Sequence, residues 1–332
     1  LLKTLLEPAA PEHLAEPRTG ETITAMVRLL MVNGVLDLPL PGRGDTWGRW
    51  TTLAGLGRRD LVLGRLAEGH TDALAILAEA GREPVPGALY GVWAARSGGT
   101  GAAVVGGALT GTVRFCSGAQ VLDRALVMAD YEDGPPILLE VGLDEPGVQA
   151  LPETWQAIGM DASDSGDVRF DGVPVTSTHI VGEPGWYVSR PGFSLGGAGV
   201  AAVWLGGCAA VVDSVTTHLL ARGAADDHQH AHLGTLHTAI HQADALLVRT
   251  AEAVDTEPDE DLPLLTGFCR SAVEHTARQV LDVAPEITGP TALCRDRRLP
   301  RQLSDLMVYV RQHHGARDLA ALGVELLKEG RR

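Results

Sequence analysis

The feature that most limits what this chain can fold into is a β-patterned stretch, residues 90–175, set between two blocks of helical periodicity. Its apolar runs at 102–105, 125–129 and 137–141 are short, partly β-branched and punctuated by Gly, Pro and Asp. That pattern reads as antiparallel strands joined by turns. Before it, Ile23, Met26, Leu29, Leu30 and Val35 recur at helical spacing, a second helix covers 47–56, and a third begins near Asp60. The third carries Leu61, Leu63, Leu66, Ala73, Leu74 and Leu77 toward a core, with an interruption expected at Gly69. After it, a helix rich in small residues opens near Ser194 and runs through Trp204, Val212 and Val215 to Leu220, with further helices over 233–254, 265–283, 301–310 and 318–329. The expectation is an α+β multidomain chain: an abbreviated N-terminal helical domain over 1–86, an antiparallel β-barrel or sandwich over 87–185, and a four-helix bundle over 186–332.

Composition narrows the function classes. At 332 residues and 45% hydrophobic, the chain can bury a sizeable core. Its net charge of −15 disfavours nucleic acid and anionic membrane as partners, since both select basic surfaces. Cys116, Cys208, Cys269 and Cys294 form no C-x-x-C pair, so a zinc or redox motif is unsupported and reduced thiols in a cytoplasm are expected. No apolar run approaches the ~20 residues that span a bilayer, and no signal peptide is read.

Residues 90–99 (YGVWAARSGG), 111–119 (GTVRFCSGA) and 155–175, with Ala162-Ser-Asp-Ser and the Val168–Val175 tail, occur in a telling order. They resemble the flavin strands of the acyl-CoA dehydrogenase superfamily: Thr-Glu-x-x-x-Gly-Ser, Gly-x-Lys-x-Trp-Ile-Thr-Asn-Gly, and a Ser/Thr-x-Ser/Thr turn. The resemblance implies a flavin site in which Tyr90, Val92, Trp93, Phe115, Ser117 and Ser163 contact the cofactor. Ser117 takes the place of the hydroxyl that faces flavin N5, and Phe115 the place of a ring-packing Trp. Arg222, 16 positions after Gly206, takes the place of the Arg that reaches the flavin pyrophosphate across a subunit contact. Three departures stand out. Trp93 and Ala94 replace Thr-Glu, Gly99 replaces Ser, and the Phe-Gly after the Arg is missing.

Neither family location for the catalytic Glu offers a carboxylate: one falls at His313 or His314 within residues 311–318 (RQHHGARD), the other near Gly196 and Gly197. His313 or His314 takes the first place, and His70 lies on the third helix. A monooxygenase subset of the superfamily has histidines in both positions, so the resemblance implies His313, His314 and His70 as catalytic candidates. A hydrogen-bonded core histidine is the competing reading of His70. His237 and His241 are i, i+4 on a helix, but no carboxylate-rich partner motif accompanies them, so no metal is expected.

The leading functional reading is a flavin-dependent oxidoreductase of acyl-CoA dehydrogenase type, with FAD, acting on an acyl or acyl-like small molecule. One alternative is a two-component flavin monooxygenase that takes reduced FMN from a reductase partner and uses O₂. Another is a non-catalytic relative. A homodimer or homotetramer is expected.

Overall fold

The computed structural model describes residues 4–6, 18–95, 100–257 and 261–329. Gly99, residues 7–17 of the Pro-rich start and residues 258–260 of the acidic loop lie outside the described residues. Among the described residues three helices come first: α1 (Gly20–Val32), α2 (Thr46–Arg59) and α3 (Leu61–Glu79). Thr19 and Thr22 form a capping box at the start of α1. Asp60 ends α2 and caps α3 by accepting from the N–H groups of Val62 and Leu63, so one residue turns the chain between them. α3 runs unbroken through Gly69, because its apolar face is buried along the whole length and outweighs one unfavourable residue.

Eight strands follow among the described residues: β1 (Tyr90–Trp93), β2 (Ala102–Val105), β3 (Ala108–Val113), β4 (Arg124–Tyr131), β5 (Ile137–Gly142), β6 (Val148–Leu151), β7 (Asp167–Pro174) and β8 (Ile180–Val181). They form one sheet in the order β6-β7-β3-β2-β4-β5-β8, with β1 also on β4. Most pairings are antiparallel, as expected from the turn chemistry. Two are not. β1 pairs in parallel with Arg124–Val127 and β2 in parallel with Ala129–Tyr131, so the two share one edge of β4 end to end. The chain keeps its direction from β1 to β2, which makes both parallel to the same neighbour. Side-chain alternation along a strand carries no information about the direction of its partner.

The second helical block comprises α4 (Trp186–Ser189), α5 (Gly192–Arg222), α6 (Asp227–Thr256), α7 (Leu262–Arg295), α8 (Arg298–Tyr309) and α9 (Ala316–Glu329). α7 is kinked where Gly289 takes φ 63° just before Pro290. α5 is long and apolar enough to cross a membrane, contrary to the sequence expectation, but 83% of its most apolar window is buried. It is the core helix, packed by α2, α3, α6, α7 and α8. α2 and α5 meet backbone to backbone: a Cβ on Gly206 would run into the Ala54 carbonyl, and one on Gly57 into that of Val203. A cavity of about 2190 Å³ opens between the sheet, α3, the start of α5, α7, α8 and the turn before α9.

Candidate active site

The two signature stretches, far apart in sequence, are stitched together. The Cys116 N–H donates to the Gly166 carbonyl and the Gly118 N–H to the Ser163 carbonyl, each at 2.8 Å. Asp164 accepts from the backbone and side chain of Gln120 at 2.6 and 2.9 Å. Phe115, Met160 and Asp164 hold φ of 60°, 58° and 45°, left-handed values that non-glycine residues adopt only when surroundings compel them.

This junction fixes a line of three hydroxyls. Ser117 Oγ lies 2.9 Å from Ser165 Oγ, Ser165 Oγ lies 2.7 Å from Ser163 Oγ, and Ser163 Oγ lies 2.7 Å from the Met160 carbonyl. A carbonyl oxygen only accepts, so Ser163 gives its single proton to Met160. Ser165 must then donate to Ser163, and Ser117 to Ser165. The proton of Ser117 is committed away from the cavity, and its oxygen is left as an acceptor. The Trp93 Nε1–H donates to the Ser117 carbonyl at 3.1 Å, which places the indole beside this hydroxyl.

Part of the cavity lining is ionic. Arg65, Glu68 and Asp72 project from α3, Arg190 from the end of α4, and Arg270 from α7. Arg65 Nη1 donates to Glu68 Oε2 at 2.6 Å, and Arg190 Nη1 to Glu79 Oε2 at 2.6 Å with Asp72 at 3.8 Å. Burial pushes the Glu68 carboxyl up to about 7, against the pull of Arg65. Gly196 and Gly197 make this arrangement possible. A Cβ on Gly196 would press on Asp72 Oδ1, and one on Gly197 on the Arg270 side chain. Helix α5 therefore leaves its own surface bare and lets neighbouring helices fill the space with charge.

His313 is buried and lines the cavity. Its Nδ1 accepts the Gly315 N–H at 3.0 Å, and its Nε2 lies 3.2 Å from Ser271 Oγ. An accepting Nδ1 carries no proton, which assigns the neutral Nε2–H tautomer. Burial lowers its pKa, outweighing the attraction of Asp318 and Glu274. His314 stands at the mouth, half exposed, with Nδ1 3.3 Å from Asp318 Oδ1.

Of the residues anticipated from sequence, Val92, Trp93, Phe115, Ser117, Ser163, His313 and His314 line this one cavity. His70 does not. It is a core residue whose Nδ1 accepts the Tyr90 N–H at 3.2 Å, and burial pulls its pKa down to about 4, so it stays neutral at physiological pH. The Tyr90 side chain points away as well: its hydroxyl donates to Glu140 Oε1 at 2.7 Å and accepts from the Val85 N–H at 2.8 Å. Arg222 ends α5 on the exposed surface and lines no part of this chain's own cavity. Among the described residues no group of three or more His, Cys, Asp or Glu is placed to hold a metal.

Sequence reasoning passed over Glu68 and Asp72. The two family positions do lack a carboxylate, but α3 supplies two from a different direction. Arg65, Glu68 and Asp72 at i, i+3 and i+7 form a charged stripe on an otherwise buried helix, and that stripe was the readable signal.

A sequence model described as "Acyl-CoA dehydrogenase, C-terminal domain" matches residues 183–311, the stretch that builds α4 to α8. That stretch of the chain is similar to the C-terminal domain of acyl-CoA dehydrogenases. Among relatives, a dibenzothiophene monooxygenase of Rhodococcus erythropolis is 28% identical over 200 residues, covering 52% of this chain and 48% of that protein. The match thus spans about half the length of the curated relative. Among solved structures, TdsC from Paenibacillus sp. A11-2 with FMN and indole superposes with a TM-score of 0.75 at 19% identity, covering 93% of this chain and 90% of that one. The methanesulfinate monooxygenase MsuC from Pseudomonas fluorescens gives 0.69 at 18%, covering 95% and 97%. At these identities the structures establish the fold. In this chain the β-side signatures and the helical block line one cavity, and α3 contributes two carboxylates to it.

Proposed function

We propose that this chain is a flavin monooxygenase of the two-component kind, which takes reduced flavin, of the FMN type, from a separate reductase and oxygenates a small molecule with O₂. This replaces FAD-dependent dehydrogenation of an acyl compound as the leading reading. The observation that carries it is the direction of the serine line. With the flavin N5 edge at Ser117, an oxygen that only accepts pairs with the N–H of a reduced ring. Oxidised flavin has a lone pair at N5, and two lone pairs repel. The dibenzothiophene monooxygenase likeness and the FMN-bound fold relative support the same reading.

The reduced cofactor supplies two electrons; with O₂, one oxygen atom passes to the substrate and the other leaves as water. The chain's own residues bind and orient. Trp93 and Phe115 flank the ring, Met128 and Val200 add apolar wall that excludes water, and Ser163 anchors the serine line. His313 faces the cavity as a fixed neutral imidazole, and His314 Nδ1 lies 3.3 Å from Asp318 Oδ1 beside it. Arg222 is left for the flavin phosphate of a second copy.

A dehydrogenase reading has one observation in its favour: Glu68, a buried carboxyl near 7, lines the cavity. Titration separates the two. Photoreduced FMN should bind at least about tenfold tighter than oxidised FMN, and indole should be oxygenated only when NADH and a flavin reductase are present. A preparation that carries stoichiometric oxidised FAD and is bleached by an acyl-CoA would overturn the proposal.

A further inference from the structure

The ionic lining of the cavity has an unequal set of partners. Arg65 is matched by Glu68, and Arg190 by Glu79 and Asp72. Arg270 is not matched: among the described residues no carboxylate lies within 4.0 Å of it. Its Nη1 donates to the Gly197 carbonyl at 2.6 Å and its Nη2 to the Gln312 carbonyl at 3.4 Å, while the guanidinium lies 4.9 Å from the centre of the Trp204 ring. Neutral carbonyls and an aromatic face orient a cation but leave its charge uncompensated. Burial accordingly draws the Arg270 pKa below its ordinary value, with Asp318, Tyr309 and Glu68 offsetting this only in part.

The hydrogen-bonding balance points the same way. On the ionic lining, Arg190 Nε and Arg65 Nε are buried donors without a well-formed hydrogen bond, and the Tyr309 hydroxyl has only the nearby Arg65 side chain beside it. Asp72 Oδ1 is the one buried acceptor there without a hydrogen bond. The Arg190 side chain is 2% exposed and the Tyr309 residue 3%, so bulk water does not serve them. A surplus of donors around an uncompensated guanidinium has one chemical complement, an acceptor-rich anion.

We infer that the substrate carries a carboxylate or similar monoanionic oxyanion, seated on Arg270 beside the Tyr309 hydroxyl, with its oxidisable part extending toward Ser117. This rests on the reading of the cavity as the site of a flavin-dependent oxygenation. A guanidinium offers five N–H groups, and two are used by carbonyls, so enough remain to grip both oxygens of one carboxylate. The lining from Trp93, Phe115 and Met128 suits an apolar body. Arg270 acts here as a specificity-determining residue.

The test is calorimetric titration of the protein, saturated with FMN, with indole-2-carboxylate and with indole. The carboxylate should bind at least about tenfold tighter. Added salt should weaken the carboxylate and leave indole unchanged. Arg270→Gln should abolish the preference, and Arg270→Lys should restore part of it. FMN affinity, read from quenching of flavin fluorescence in the same samples, should stay constant in both variants. Indole binding as tightly as its carboxylate, no measurable binding of the carboxylate, or a preference that survives in Arg270→Gln would each overturn the inference. Failure of the flavin reading looks different: the carboxylate preference holds in the flavin-free protein while no flavin binds in either redox state.

Discussion

Three hydroxyl protons set the chemical character of the β-side wall. Because Met160 can only accept, the direction of every bond back to Ser117 follows. Ser165 is therefore a positioning residue, acting through Ser117. In Ser165→Ala the Ser117 proton loses its acceptor and is free to turn toward the cavity. The ratio of oxidised to reduced FMN dissociation constants should then fall roughly tenfold, about 1.4 kcal/mol, the worth of one hydrogen bond. Fluorescence titration of oxidised FMN and anaerobic titration of the reduced form measure that ratio; an unchanged ratio would refute the assigned direction. Ser117 itself was legible in the sequence because its neighbours repeat a family strand. Ser165 was legible only as part of a turn, since its role depends on a contact 48 residues away.

Helix α5 illustrates what decides stability at the level of elements. Alanine is favoured over glycine inside a helix by about 1 kcal/mol, so most of its glycines look improvable. At Gly206 the new methyl would meet the Ala54 carbonyl and the Arg58 N–H of α2, and neither backbone can yield cheaply. Gly206→Ala should destabilise by roughly 1–3 kcal/mol, read as a lower urea midpoint. Gly234→Ala on α6, where nothing lies within 4 Å, should instead stabilise by up to about 1 kcal/mol, read as a higher midpoint. The same contrast explains how much of the elements was readable. Helices announced themselves through periodic apolar positions, as in α3. The parallel pairing of β1 and β2 with β4 did not, because it depends on how separate segments meet.

Across the whole molecule, Arg18 joins the N-terminal segment to the rest. It pairs with Asp60 at 2.7 Å, Asp161 at 2.9 Å and Asp305 at 2.6 Å, bridging α3, the turn after Met160 and α8. Burial raises the Asp305 carboxyl to about 6, against the pull of Arg18. Its folded pKa thus lies above the unfolded value of about 3.9. The stability this group contributes is fully present below that unfolded value and is lost as pH rises through about 6. Removing Arg18 leaves three carboxylates facing one another and raises the Asp305 pKa further. Arg18→Ala should cost about 3–5 kcal/mol near neutral pH. Its melting temperature should approach that of the wild type as pH falls from about 7.5 to about 5.5; a gap that stays constant would show that the network carries no net charge penalty.

From residues alone came the order of helical and strand-forming blocks, the placement of most turns, the superfamily resemblance and a wall of candidate residues that do share one cavity. These depend on spacing within a single segment, which periodicity records directly. Only the tertiary structure decided that His70 is core, that Glu68 and Asp72 line the cavity, that Ser117 donates to Ser165 and so offers the cavity an acceptor, and that no carboxylate among the described residues lies within 4.0 Å of Arg270. Each of those facts is a distance or a proton direction between segments remote in the chain, and a side chain's chemistry is set by what stands opposite it in space.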